Sequence, residues 1–238
     1  MKLTDNLAML SIQGSSASVH PVLLWDVEHL VLIDAGFPGQ LDIFREAMAA
    51  YGKKPEELTH ILLTHQDWDH IGCMRELLAV APQVKVYAHA AEASSIRGDE
   101  PPTKVVAMFA KREQTPENKA ELEQRVANYS NYTVRVDVEL QDAEVIPVCG
   151  GILAIHTPGH TLGHLCFFME RDKVLMTGDT VGVSDGKLTG CNPVHTPDMA
   201  LGAISNQKLA QVPAAMLVAY HGGLFQGDIP AAIRGLGQ

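Results

Sequence analysis

Short apolar runs, each closed by turn residues, recur along the whole chain. Residues 22–25 (VLLW), 29–36 (HLVLIDAG), 60–65 (HILLTH), 84–89 (VKVYAH), 151–157 (GILAIHT), 165–169 (LCFFM), 173–179 (KVLMTGD) and 215–220 (AMLVAY) read as strands. Most are continuously apolar rather than alternating, which predicts strands covered on both faces. Helical patterns lie between them. Leu41, Phe44, Ala47 and Met48 share one face of 41–51, and Ile71, Met74, Leu77 and Leu78 share one face of 71–80. Residues 199–212 set Ile204, Leu209 and Val212 among small and polar positions, with Pro197 near the start. A strand-rich core with helices outside predicts layered sheets covered by helices.

The pattern breaks at about 90–132. The segment EASSIRGDEPPTK is followed by the charged stretch KREQTPENKAELEQRVANY, which is helix-compatible and polar on most faces. It reads as a helical insertion within a single domain that spans 1–238. Two roles stay open for it, a solvated decoration or a wall of a substrate pocket. A faint internal echo accompanies it. Strand-then-acid occurs in VLIDAG and VLMTGD, and strand-then-histidine in ILLTH and LAIHTPGH, which hints at two related halves.

Composition narrows the function classes. The chain has 238 residues, 46% apolar and 19% charged, with a net charge of −10. That is globular, and long enough for a core that needs no disulfides. The acidic balance argues against a nucleic-acid partner. Cys73, Cys149, Cys166 and Cys191 form no C-x-x-C pair and read as buried small residues. The first residues, MKLTDNLAMLSIQG, contain no continuous apolar stretch of the kind a signal peptide needs, and no run approaches a membrane span. The expectation is a cytoplasmic protein acting on a small molecule, with no membrane partner. Oligomeric state is not legible.

The densest chemistry lies at Thr64-His65-Gln66-Asp67-Trp68-Asp69-His70, directly after an apolar strand. A loop leaving a strand can splay alternate side chains to one side, so His65, Asp67 and Asp69 could converge. Asp69 also stands where a helix N-cap would, and His70 would start the next helix. A buried cluster this polar is very costly unless it binds metal. Three more ligand types follow strands at long intervals: His160 in TPGHTLGH, Asp179 in GDT and His221 in YHGG.

The set HxDxDH, then GH, GD and HGG, resembles the metallo-β-lactamase-fold metallohydrolases over most of the chain, with IDAG at 33–36 fitting upstream. The resemblance implies a four-layer αββα sandwich with two divalent metal ions at one edge of its sheets. It implies that His65, Asp67 and His160 bind one metal, that Asp69, His70 and His221 bind the other, and that Asp179 bridges them. Asp34 would be the outer carboxylate that orients a ligating histidine, unless it only caps the turn before Gly36. The activity implied is hydrolysis of a small ester, lactone or thioester by a hydroxide bridging two metals, with Asp69 handling its proton.

Asp67 departs from the commoner HxHxDH pattern. Three aspartates, two divalent ions and a hydroxide make a neutral site, where a histidine at 67 would leave it positive. Zinc is the expected metal, but an oxygen-richer set opens iron or manganese. Two alternatives of the same fold follow: an iron redox enzyme resembling persulfide dioxygenases, and a small-molecule phosphodiesterase. Substrate identity is not legible. Trp68, between two ligands, and His195, in CNPVHTPD, are candidate pocket residues. His20, His29, His60, His89 and His156 lie in or beside strands and read as hydrogen-bonded structural histidines. Tyr220 precedes His221 on a strand, so alternation points it away from the metal.

Overall fold

The structure is a computed structural model that describes residues 1–14 and 18–237. Among the described residues, thirteen strands make the two large sheets, one from each half of the chain, and two further pairs of short strands stand apart from them. The first sheet comprises β1 (Lys2–Thr4), β2 (Leu7–Met9), β3 (Val22–Trp25), β4 (Leu30–Ile33), β5 (His60–Leu62), β6 (Lys85–His89) and β7 (Val138–Leu140), side by side in that order. The second comprises β8 (Val145–Ile146), β9 (Ile152–His156), β10 (Leu165–Met169), β11 (Val174–Met176), β12 (Met216–Ala219) and β13 (Gly223–Gln226), again in order. All eight strands expected from the apolar runs are present. The missed ones are two to four residues long, too short to carry a periodic signal.

Three buried clusters define four layers. Between the sheets, Leu24, Val31, Ile33 and Leu62 face Phe167, Met169, Val174 and Val218. The outer face of the first sheet (Leu23, Leu32, Ile61, Val86) is covered by α1 (Leu41–Ala49) through Phe44 and Met48 and by α3 (Met74–Val80) through Met74 and Leu77. The outer face of the second sheet (Cys166, Phe168, Leu175, Leu217) is covered by α7 (Met199–Leu209) through Leu209 and by α8 (Ile229–Arg234) through Ile229 and Ile233. Both faces of β4, β10 and β11 are therefore buried, which is why their sequences do not alternate. The four cysteines are buried free thiols. Among the described residues no helix is long and apolar enough to cross a membrane.

Two helical expectations change. The pattern over 71–80 is split: α2 (Trp68–Ile71) ends before α3 begins. The Gly72 and Cys73 N–H groups donate instead to the Gly36 and Ala35 carbonyls (2.9 and 3.1 Å), so the helical ladder is broken by a tertiary contact. The helix expected over 199–212 stops at Leu209, and Ile204 faces solvent. Residues 90–132 hold three helices, α4 (Ala90–Arg97), α5 (Thr103–Ala110) and α6 (Pro116–Tyr129). In α6 only Tyr129 is buried, whereas α5 carries its Lys104 inward.

Strand direction positions the site. β4 and β5 run parallel, as do β11 and β12, so the carboxyl ends of each pair open at one edge. The Leu165 N–H donates across the sandwich to the Thr64 carbonyl (2.9 Å), tying the two edges together. Phe167 is fully buried between the sheets. Phe167→Ala should cost about 3–5 kcal/mol, read as a shift in the urea unfolding midpoint. A loss of under about 1 kcal/mol would mean that the interior collapses around the gap.

Candidate metal centre

Seven residues meet at that edge. His65 and Asp67 follow β5, Asp69 and His70 lie in α2, His160 follows β9, Asp179 follows β11 and His221 follows β12. Their ligand atoms fall into two groups: His65, Asp67, His160 and Asp179 in one, and Asp69, His70 and His221 in the other, with the atoms of each group within 4.8 Å of one another. Asp179 faces both. Its Oδ2 is 3.3 Å from His160 Nε2, while its Oδ1 is 3.1 Å from His70 Nε2 and 3.4 Å from His221 Nε2. Asp67 Oδ2 stands 3.3 Å from His65 Nε2 and 3.2 Å from His160 Nε2, and Asp69 Oδ2 stands 3.3 Å from His221 Nε2.

The far sides of the rings are fixed. Asp34 Oδ2 lies 2.9 Å from His70 Nδ1, and the same carboxylate accepts the Thr64 N–H (2.9 Å) and the Thr64 hydroxyl (2.8 Å). Thr64 Oγ1 is also 3.0 Å from His65 Nδ1. Asp34 thus does more than shape its turn, since it spans β4, β5 and a ring in α2. With Nδ1 engaged, each ring turns Nε2 inward. His65 Nε2, His70 Nε2 and Asp179 Oδ1 are buried and make no hydrogen bond. Buried ring nitrogens and carboxylate oxygens that converge in this way suit a cation, and a mixed imidazole–carboxylate set suits a divalent metal.

Electrostatics follows from burial and crowding. Burial opposes ionisation of Asp67, yet Lys104 and His65 hold its carboxyl well below the usual range. Burial likewise opposes a charge on His70, but Asp34, Asp179 and Asp69 outweigh it and hold the imidazole well above the usual histidine range. For His65 burial wins, reinforced by His70, and its pKa falls to about 4. For His221 burial works against the charged form, but the Asp179 and Asp69 carboxylates beside its Nε2 prevail and raise it to about 9.

Two glycines are required by close approach. Gly222 has φ +100°, and a Cβ there would lie 1.9 Å from the Val183 carbonyl oxygen; Gly178 has φ +49°, and a Cβ there would lie 2.6 Å from His164 Nε2. His164 is buried and accepts the Asp179 N–H at Nε2 (3.1 Å).

Asp69 is not an N-cap: Asp67 precedes α2, and Asp69 lies inside its single turn. Trp68 is half exposed beside Phe37, ring centroids 5.0 Å apart, and both line a cavity of about 640 Å³ over the seven residues. His195 lines the same cavity from the 191–198 loop. His20, His29, His60, His89 and His156 all hydrogen-bond away from the seven.

Three residues at the site gave no sequence signal of their role. Tyr220 does not point away from the candidate metal residues as alternation predicts: the strand ends at Ala219, and beyond it the Tyr220 ring packs tilted against His70 (centroids 3.8 Å apart) and its hydroxyl donates to the Asp69 carbonyl (2.5 Å). Glu92 is fully buried and accepts the N–H groups of Gln66 (3.1 Å) and Gly163 (2.7 Å), bracing the 64–70 loop against the 157–164 turn. Burial pushes its carboxyl up to about 7. Lys104 reaches Asp67 Oδ2 and His160 Nε2 from α5.

Residues 17–221 match the metallo-beta-lactamase superfamily. The chain belongs to that superfamily. The probable metallo-hydrolase YflN of Bacillus subtilis (strain 168) is 31% identical over 228 residues, covering 87% of this chain and 80% of its own. The hydroxyacylglutathione hydrolase of Francisella tularensis subsp. novicida (strain U112) is 28% identical over 71% of this chain, which spans about half (49%) of that relative. A metallo-beta-lactamase family protein from Thermus thermophilus shares the fold, with a TM-score of 0.76 at 21% identity over 99% of this chain and 79% of its own. Superfamily members bind divalent metals, and the groups above are candidates for that role here.

His221 carries a pH signature. Its folded pKa of about 9 exceeds the ordinary 6.5, so the stability it contributes is complete below 6.5 and is lost as pH rises through about 9. In chelator-treated protein the melting temperature should fall across that window, and His221→Ala should flatten the fall. An unchanged slope in the variant would place the titration elsewhere.

Proposed function

We propose that this protein is a hydrolase that holds two divalent metal ions and cleaves a small ester, lactone or thioester. The observation that carries the reading is Asp179, whose two carboxylate oxygens face two separate sets of imidazole nitrogens. One carboxylate serving both sets is the arrangement a paired-metal site needs. His65, Asp67 and His160 would hold one ion, Asp69, His70 and His221 the other, and Asp179 both. Two such ions supply a lowered water pKa and polarisation of a substrate oxygen.

The chain's own residues supply the rest. The Asp69 carboxylate borders the cavity, where it can hold the proton of an attacking water at Oδ2. Asp34 and Thr64 keep His70 and His65 turned inward. Trp68, Phe37, Val19 and Val183 give the cavity an apolar wall for an acyl group. Resemblance to a hydroxyacylglutathione hydrolase supports an acyl substrate. Zinc is the metal proposed. Asp67, an oxygen ligand, is the feature that could favour iron. The small-molecule substrate, its handling inside the cell and the single-domain organisation belong to the same reading.

The test is metal content by plasma mass spectrometry together with a panel of esters, lactones and thioesters. About two zinc ions per chain and turnover of one acyl class are expected. Asp179→Ala should release metal and lower kcat/KM roughly a thousandfold or more, since several kcal/mol of charge stabilisation are removed. One iron per chain with oxygen uptake, or a variant that keeps metal and activity, would overturn the proposal.

A further inference from the structure

Lys104 is an unusual neighbour for such a site. It is the only lysine or arginine among the cavity-lining residues described, and its side chain is only 7% exposed. Its Nζ donates to Asp67 Oδ2 and stands 2.7 Å from His160 Nε2. Those are two of the atoms assigned above to one metal ion. The lysine does not reach them by chance of a loose loop. The Gln66 amide donates to Thr103 Oγ1 (2.7 Å) at the start of α5, and Lys111 beyond its end donates to the Pro197 carbonyl. The helix is thus pinned to the ligand loop on one side and to the 191–198 loop on the other.

His160 Nε2 faces Lys104 Nζ (2.7 Å) and Asp67 Oδ2 (3.2 Å), so a metal ion bound there would take the place the ammonium holds. The other His160 nitrogen, Nδ1, is turned to the Thr196 hydroxyl (3.4 Å) and cannot substitute. An ammonium and a divalent ion contending for His160 Nε2 and Asp67 Oδ2 would also repel each other at short range. The other half of the site differs. The charged partners of Asp69, His70 and His221 among the described residues are one another, Asp34 and Asp179, with no lysine or arginine among them.

We infer that Lys104 is a built-in competitor for the His65–Asp67–His160 half, so that the two halves bind metal unequally. The Asp69–His70–His221 half fills tightly. The lysine half fills more weakly, and only as the side chain withdraws on its flexible stem into the cavity. Lys104 acts as a positioning residue that sets metal loading, and the carboxylate at 67 is what gives it a partner. The inference rests on the metal-ligand assignment proposed above.

The test titrates chelator-stripped protein with zinc alone by calorimetry and counts the zinc retained after dialysis. Wild type should show one tight event and a second weaker by roughly tenfold or more, as expected for a charge that must be displaced. Lys104→Met keeps the stem and removes the charge, and should strengthen the weaker event by roughly tenfold or more, raising retained zinc from about one to about two per chain. Lys104→Arg should preserve the inequality. Lys104→Gln, read the same way, replaces the Met variant if that one melts early. Two equal tight events in wild type, or a weaker event that neutral variants leave unchanged, would overturn the competition while leaving the metal assignment intact. Zinc binding to none of these proteins would overturn the assignment itself.

Discussion

Three carboxylates and four imidazoles are held together where little water reaches, and that concentration of charge is the constraint on which the rest of the structure depends. Left alone it would be costly, because buried ionised groups must be paired, hydrogen-bonded or bound to metal. The protein uses every available device. Asp34 and Thr64 occupy the outer nitrogens of His70 and His65. Lys104 neutralises Asp67. The inward atoms that remain, His65 Nε2, His70 Nε2 and Asp179 Oδ1, make no hydrogen bond, and they define where a cation belongs.

The sandwich exists to carry that edge. Two sheets with both faces covered give rigid strands, and parallel pairs β4–β5 and β11–β12 bring remote loops to one rim. Glu92 then braces two of the loops through backbone N–H groups, and Tyr220 locks α2 by its hydroxyl while packing against His70. Precision at the rim comes from this framework of buried hydrogen bonds rather than from the ligands themselves. Glycines 178 and 222 are part of it, since neither close approach leaves room for a Cβ.

The insertion joins the framework to the chemistry. Its last helix, α6, buries only Tyr129, while α5 sends Lys104 into the lining of the cavity. Because Asp67 stands where a histidine is commoner in the superfamily, a cation at its side changes what the site can hold.

The apolar runs, the strand-end candidates His65, Asp67, His160, Asp179 and His221, and the neighbouring candidates Asp69 and His70 were all legible in the sequence itself. Each depends on local spacing: a buried strand is written as a run of apolar residues, and a ligand at a strand end is written beside it. Asp179 between two groups and Asp34 behind a histidine were expected only through the family resemblance, and which histidine Asp34 meets, together with the contacts of Glu92, Tyr220 and Lys104, was decided by the tertiary structure. These are contacts between segments remote in the chain, from 15 residues for Asp179 and His164 to 151 for Tyr220 and Asp69. No local pattern encodes them. Even the break between α2 and α3 belongs to this class, because the hydrogen bonds that end the first helix go to carbonyls of the loop that follows β4. Periodicity records which face of an element is buried; it does not record what that face will meet.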